Sequence, residues 1–506
     1  MADEKTVSAA PEVDAGVAAP ASDRAARPAG WRYKGVKIFG HELWYASPKV
    51  QLFMVAMVCF LCPGMFNALS GMGAGGQVDP KAQDAAGTAL YSVFAAVGFF
   101  SGSFANRLGV KPTLYLGGIG YCVYAASFLC YSHTENNGFV IFAGAFLGVC
   151  AGLLWTGQGT IMMAYPPEDK KGRYISWFWV IFNLGAVIGA LIPLGQNAHT
   201  TNNSPVSDGT YAGFIVLMFL GAVLAAFLCN ASAIVREDGS RVILMKNPSW
   251  QSELIGLKDT LFNDPWIVLL FPMFFASNIF YTYQPNDMNA AAFNTRTRAL
   301  NNLLYWLSQI FGAVLFGYAL DYKGVGRSVR ARISFGALFV LTFAIWGGGY
   351  AWQRQQLTRQ EVTPTNPNYH PIDWTDGGRL YIGPMFLYMF YGFYDACWQT
   401  CIYWYMGALS NSGRKSANLA GFYKGIQSAG AAVFFRLDGV GKPYNTIFGV
   451  TWGLLAGSLV IASPLIMTRI KDTVPIEEDL KFSDEVIEDV VAPGSIPVGE
   501  KHAGEA

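Results

Sequence analysis

The stretch Gly102-Ser-Phe-Ala-Asn106-Arg107-Leu-Gly109-Val-Lys111-Pro112 has a counterpart in Gly317-Tyr-Ala-Leu-Asp321-Tyr-Lys323-Gly324-Val-Gly-Arg327. In each copy a Gly is followed four residues later by Asn or Asp, three later by a second Gly, and then by a base. Each copy closes a long apolar run, and the two stand six such runs apart. Recurrence at this spacing marks an internal duplication into parallel six-span halves, a recurrent transporter plan.

The runs themselves agree with that division. A bilayer core of ~30 Å needs roughly twenty apolar residues per helix. Twelve stretches have that length, beginning near Val50, Ala85, Pro112, Phe139, Tyr174, Tyr211, Pro265, Leu300, Ile333, Leu380, Ala417 and Tyr444. The expected fold is all-α: about twelve transmembrane helices in two six-helix halves. Small residues at Gly144, Gly148 and Gly152, and at Gly185 and Gly189, permit close helix contact in lipid.

Lys and Arg set the orientation. Placing both termini in the cytoplasm gives roughly three to one in favour of bases inside. The expected organisation is then a disordered cytoplasmic tail at 1–49, halves at 50–235 and 265–471, and an acidic cytoplasmic tail at 472–506. Segment 236–264 is a linker, with Trp250, Leu254, Leu257 and Leu261 on one face of an interfacial helix. The first apolar run, from Val50, is too long for a cleaved leader and is expected to act as a signal anchor. The host membrane is either the plasma membrane or an endomembrane. Asn202-Asn-Ser204 is a candidate glycosylation site in an outside loop.

Composition fixes the medium and narrows the chemistry. Of 506 residues, 52% are hydrophobic and 14% charged, where soluble domains carry ~25% charge. Lys and Arg number 35 against 34 Asp and Glu, so nothing points to nucleic acid. The eight cysteines fall in apolar runs and read as small buried residues, Cys59-x-x-Cys62 included. The five histidines lie outside the spans. The sequence has no nucleotide-binding glycine loop, metal cluster, cofactor motif or nucleophile–His arrangement, which argues against an enzyme.

The paired loop motif resembles that of the major facilitator superfamily. There, the acid and the bases latch neighbouring helices when the inside gate is closed. The resemblance assigns gate roles to Gly102, Asn106, Arg107 and Gly109, and to Gly317, Asp321, Gly324 and Arg327. Asn106 stands where Asp is usual, which weakens the first latch. A closer resemblance, to the uncoordinated-93-like branch, rests on several motifs together: Cys62-Pro-Gly-Met-Phe-Asn67, Leu154-Trp-Thr-Gly-Gln158-Gly, Phe182-Asn183-Leu-Gly, Tyr394-Asp395-Ala-Cys-Trp398-Gln399, and Gly421-Phe-Tyr-Lys424-Gly-Ile-Gln427. That branch is linked variously to regulating potassium flux, to escorting receptors and to unassigned transport.

Polar side chains in mid-membrane are costly and default to function. Asn67, Gln158, Asn183, Asn278, Gln309, Asp395, Trp398, Gln399, Lys424 and Gln427 are the candidate substrate or coupling-ion residues. They sit in spans one, four, five, seven, eight, ten and eleven. Spans three, six, nine and twelve, which face lipid in the superfamily, carry none. Asp395 lies near the middle of span ten. It reads either as a proton or cation site, or as a structural acid paired with Lys424 or with tyrosine hydroxyls. Lys424 reads as a contact for an anionic substrate group or as a snorkelling base. Asn183 reads equally well as a hydrogen bond across a close helix pair. The span-five Gly-Pro motif of drug/proton antiporters is not matched.

Two functions follow. The first is secondary-active transport of a small solute or ion, by alternating access around a central cavity in the lipid bilayer. The alternative is a non-transporting regulatory or escort subunit that binds another membrane protein, a channel or a receptor.

Overall fold

The computed structural model describes residues 28–38, 41–71, 80–197, 208–243, 250–262, 264–363, 365–475 and 480. The candidate glycosylation site at Asn202 lies outside these residues. A short hairpin, β1 (Val36–Ile38) and β2 (His41–Leu43), precedes the helices. Span one is α1 (Pro48–Cys59), a π-helical turn at Phe60–Gly64, and α2 (Met65–Gly71). The next five spans are α3 (Pro80–Leu108), α4 (Val110–Thr134), α5 (Asn137–Ala164), α6 (Lys171–Asn197) and α7 (Asp208–Ala225). Helix α8 (Trp250–Phe262) follows as the linker helix.

The second half repeats this plan. Span seven runs from Pro265 through α9 (Phe271–Ala276) and α10 (Phe280–Thr282) into a π-helical stretch at Tyr283–Ala290. Then come α11 (Thr295–Leu320), α12 (Arg327–Gln353), α13 (Gly383–Leu409), α14 (Gly413–Gly439) and α15 (Tyr444–Thr468). The sequence supplies the starts. Ser47, Asn136, Asn294 and Ser412 each cap a helix by accepting a first-turn N–H, which satisfies a donor the helix leaves free. The first span of each half widens to π geometry around a proline, Pro63 or Pro285, where the missing N–H disrupts the α ladder.

Ten of these segments are long and apolar enough to cross a membrane. Helices α13 and α14 have the same span length, 27 residues each, but their tyrosines, glycines and polar groups lower their hydropathy. They are spans ten and eleven, and they bury that polarity inside the bundle. Spans six, nine and twelve have 33%, 39% and 39% of their apolar windows buried, against 67% for spans one and five. Span two is as open at 39% and span three is buried to 61%, so burial does not by itself mark the four spans expected to face lipid. In span three, Gly117, Gly118 and Gly120 bring α4 against α5 and α7 too closely for a Cβ.

Two seams join the halves, α3 against α14 and α6 against α11. The first glycine of each loop copy lies on one of them. A Cβ on Gly102 would stand 2.7 Å from Ala417 O, and a Cβ on Gly317 would stand 2.7 Å from Gly172 O. The repeated Gly is therefore the point where backbone meets backbone across the halves.

Candidate functional site

The loop-repeat end of the bundle is shut. Asp321, just past α11, accepts the N–H groups of Gly172 (2.8 Å) and Arg173 (2.6 Å) at the start of α6. The equivalent Asn106 does the converse. Its amide donates to Arg414 O (3.5 Å) and Asn418 Oδ1 (3.4 Å) at the start of α14. An acid suits exposed N–H groups at a helix start, whereas an amide suits a carbonyl, so the two copies differ in polarity according to their partners. Arg327 reaches Glu168 of the other half and donates to Lys471 O, and Lys323 pairs with Asp169 at 3.3 Å. Lys171 donates to Gly407 O and to Asn411 Oδ1 at 2.8 Å. Arg107 is exposed. Gly109 has φ +85°, and a Cβ on Gly324 would collide with the Tyr322 ring.

Behind this seal a cavity of about 230 Å³ runs from mid-span toward the opposite end. Both halves wall it. Asn67, Tyr121, Trp155 and Trp179 come from the first, and Asn278, Tyr281, Gln399, Lys424 and Gln427 from the second. Lys424 donates to Gln427 Oε1 at 2.8 Å. Its ammonium also lies 4.5 Å from the Trp155 ring centre, 4.7 Å from that of Tyr423 and 5.5 Å from that of Tyr403. This is a cage of aromatic faces around a desolvated cation. The snorkelling reading is not what the structure has.

Asp395 is fully buried and sits one side chain behind the cavity wall. Its Oδ2 accepts from the Tyr281 hydroxyl, from Tyr305 (3.2 Å) and from Gln309 Nε2 (2.8 Å). Its Oδ1 accepts from Gln399 Nε2 at 3.2 Å. Four donors from spans seven, eight and ten therefore converge on one carboxylate. Lys424 is not among them. An amide relay separates the charges: Gln427 Nε2 donates to Asn278 Oδ1 at 2.8 Å and to Gln399 Oε1 at 3.3 Å.

The other candidates divide. Asn67, Asn278, Gln399, Lys424 and Gln427 line the cavity. Gln309 acts behind the wall, through Asp395. Trp398 turns away, and its indole N–H donates to Ser277 Oγ at 3.0 Å. Gln158 is buried against the Tyr403 hydroxyl at 3.2 Å. Asn183 is buried with neither amide atom hydrogen-bonded among the described residues, so the cross-helix bond expected of it is not made. Sequence reasoning missed Tyr281 and Tyr305, the two hydroxyl donors to Asp395. The available signal was Tyr305 four residues before Gln309, on one helix face.

Residues 50–435 match the family model described as Major Facilitator Superfamily. An UNC93-like protein of Schizosaccharomyces pombe is 51% identical over 450 residues, covering 89% of this chain and 88% of its own. UNC93-like protein 1 of Arabidopsis thaliana is 40% identical over 442 residues, covering 87% of this chain and 94% of its own. Among solved structures, the proton:xylose symporter XylE superposes with TM-score 0.58 at 11% identity, covering 84% of this chain and 98% of its own. FucP in its outward conformation gives 0.58 at 12% identity, covering 82% and 98%. Repeat, fold and relatives agree: this chain belongs to the major facilitator superfamily, in its UNC93-like branch.

Proposed function

We propose that this protein is a secondary-active transporter that moves a small solute by rocking its two halves about the central cavity. One observation carries the reading. The cavity is walled by both halves, holds polar groups at mid-span, and is closed at one end by contacts that cross between the halves. Breaking those contacts while the opposite ends converge would turn the cavity to the other side of the membrane. A scaffold that only held a channel or receptor has no need of a chamber with hydrogen-bonding groups facing inward.

Within this reading residues 50–235 and 265–471 are the two moving bodies and 236–264 the linker. The loop-repeat end faces the cytoplasm, with both termini, in the plasma membrane or an endomembrane. Asn67, Asn278, Gln399, Lys424 and Gln427 contact the solute. Asp395, with Gln309, Tyr281 and Tyr305, holds spans seven, eight and ten as one unit. The test is flux of labelled solutes into proteoliposomes carrying the purified protein, with and without a pH gradient. Saturable uptake supports transport. Solute binding without any flux would leave the escort reading in its place.

A further inference from the structure

The charge pattern of the cavity wall narrows the solute. Among the described residues that line the cavity, Lys424 is the one charged side chain. Its ammonium carries three donors and makes one hydrogen bond, to Gln427 Oε1. The rest of its surroundings are ring faces. The acid that balances it, Asp395, is outside the lining and already accepts four hydrogen bonds, so no anionic group faces the space. A second donor also lacks an acceptor. The Trp179 indole N–H is buried without a hydrogen-bond partner, although its ring lines the cavity. The Tyr403 ring lies 5.5 Å from the Lys424 ammonium and 6.4 Å from the Trp179 ring.

A desolvated ammonium with unused donors is costly, and an acceptor anion in the cavity relieves it. The remaining wall mixes neutral amides, such as Asn67, Gln284 and Asn302, with aromatic rings, among them Phe66, Phe94 and Tyr124. Its volume, about 230 Å³, is below the ~300–1,000 Å³ of pockets for drug-sized ligands, so it has room for one ring and a short chain. A cationic solute would meet Lys424 with no carboxylate to offset the repulsion.

Resting on the transport reading above, we infer that the cavity takes a small organic monoanion, a carboxylate on a flat apolar body. The carboxylate is received by Lys424, and the body lies among the aromatic rings.

The test uses the purified full chain and three probes of one shape: 3-phenylpropionate, its neutral amide, and 3-phenylpropylamine. Binding is read by ligand-dependent shift of the melting temperature and by equilibrium binding, and uptake is followed separately in proteoliposomes. The carboxylate should bind best. Lys424→Met should weaken it at least tenfold while leaving the amide within a factor of about two, and Lys424→Arg should keep most of the preference. The amide arm doubles as the check that Lys424→Met is folded. Equal or better binding of the amide or the amine overturns the inference, as does failure of all three to bind. Selective carboxylate binding with no uptake upholds the inference while refuting transport, so the two readings fail separately.

Discussion

Asp321 of the C-terminal half holds the first turn of α6 in the N-terminal half, its two carboxylate oxygens accepting the N–H groups of Gly172 and Arg173. Burial pushes this carboxyl up from 3.8 to about 6, more than those N–H bonds and the nearby Arg330 and Arg173 lower it. In an open gate the group would return to water and to the ordinary carboxylate range. The closed form therefore binds the proton more tightly. Lowering the pH from 7 toward 4 favours closure, and that advantage is lost as pH rises through about 6. Asp321→Asn removes the buried charge permanently. It also turns an NH₂ group toward one of the two N–H donors, so it should weaken the latch, slow transport several-fold and abolish the pH dependence of labelling at an Asn411→Cys reporter beside Lys171. Asn106→Ala should do less, since its bonds are long. Identical pH profiles for the parent and Asp321→Asn would remove the gate role.

Asp395→Asn removes the charge on which Tyr281, Tyr305, Gln309 and Gln399 converge; with its remaining oxygen kept toward the first three, its NH₂ group faces the Gln399 amide N–H. Hydrogen bonds to a buried charge contribute ~1.5–3 kcal/mol each, so a loss of about 2–4 kcal/mol in stability is expected, read as a lower melting temperature in detergent. Adding Lys424→Met should not restore it, because the ammonium is held by Gln427 and the rings rather than by Asp395. Recovery in the double variant would mean that the two charges neutralise each other directly.

The long loop between α12 and α13 is pinned by Arg359. Its guanidinium bonds Asp287 (2.9 Å) and Asp438 (2.6 Å), and lies 4.3 Å from the Tyr444 ring centre. Arg359→Ala would leave two facing carboxylates without their shared, part-buried cation, and should destabilise the loop by about 1–3 kcal/mol, less than the ~3–5 kcal/mol for breaking a fully buried pair. Limited proteolysis should then cut within 354–379, where the parent resists. Asp438→Asn should restore much of the resistance, since it removes the like charge left behind. Unchanged cleavage in Arg359→Ala would show that the loop is held by other contacts, such as Arg296 with Asp373.

Orientation has its own measurement. A cysteine at Asn203, between spans five and six, should react with a membrane-impermeant reagent added outside intact cells. Labelling only after permeabilisation, or only in inverted vesicles, would place the loop-repeat end outside and reverse the gate assignment.

The sequence was most legible where a costly group stood against its surroundings. Asp395 and Lys424 stood out as charges in apolar runs, and both are central. The loop repeat pointed to duplicated halves because Gly, acid and base recur in register, and its latch was expected between neighbouring helices; the structure places it between the halves. The spacing of Gly144 and Gly148 predicted close approach, and α3 takes it: a Cβ on Gly148 would stand 2.5 Å from Leu90 O. What stayed hidden depends on helix rotation. Tyr281 and Tyr305 are two among 25 tyrosines, and nothing local distinguishes a hydroxyl that meets a carboxylate from one that meets lipid. Trp398 shares helical spacing with Asp395, yet a few tens of degrees of azimuth send it to Ser277 instead. Lys424 was readable as a base but not as one enclosed by rings, because Trp155 comes from the other half.

The seams between halves carry one more consequence. At α3 and α14 the glycine stretches meet as main chain, with side-chain contacts such as Tyr91 on Phe435 and Phe99 on Phe422 flanking them. A Cβ on Gly98 would stand 2.9 Å from Gly425 N, and one on Gly421 would stand 2.9 Å from Gly102 N. Interlocked side chains fix both the distance and the angle between two helices, as knobs seated in holes do. Bare backbone fixes the distance alone. The halves are thus held at a set separation along the glycines, with side-chain contacts confined to the flanks. In the rocking motion proposed above, that stretch would act as a bearing and the contacts of Asp321, Arg327 and Lys171 as the catch at one end.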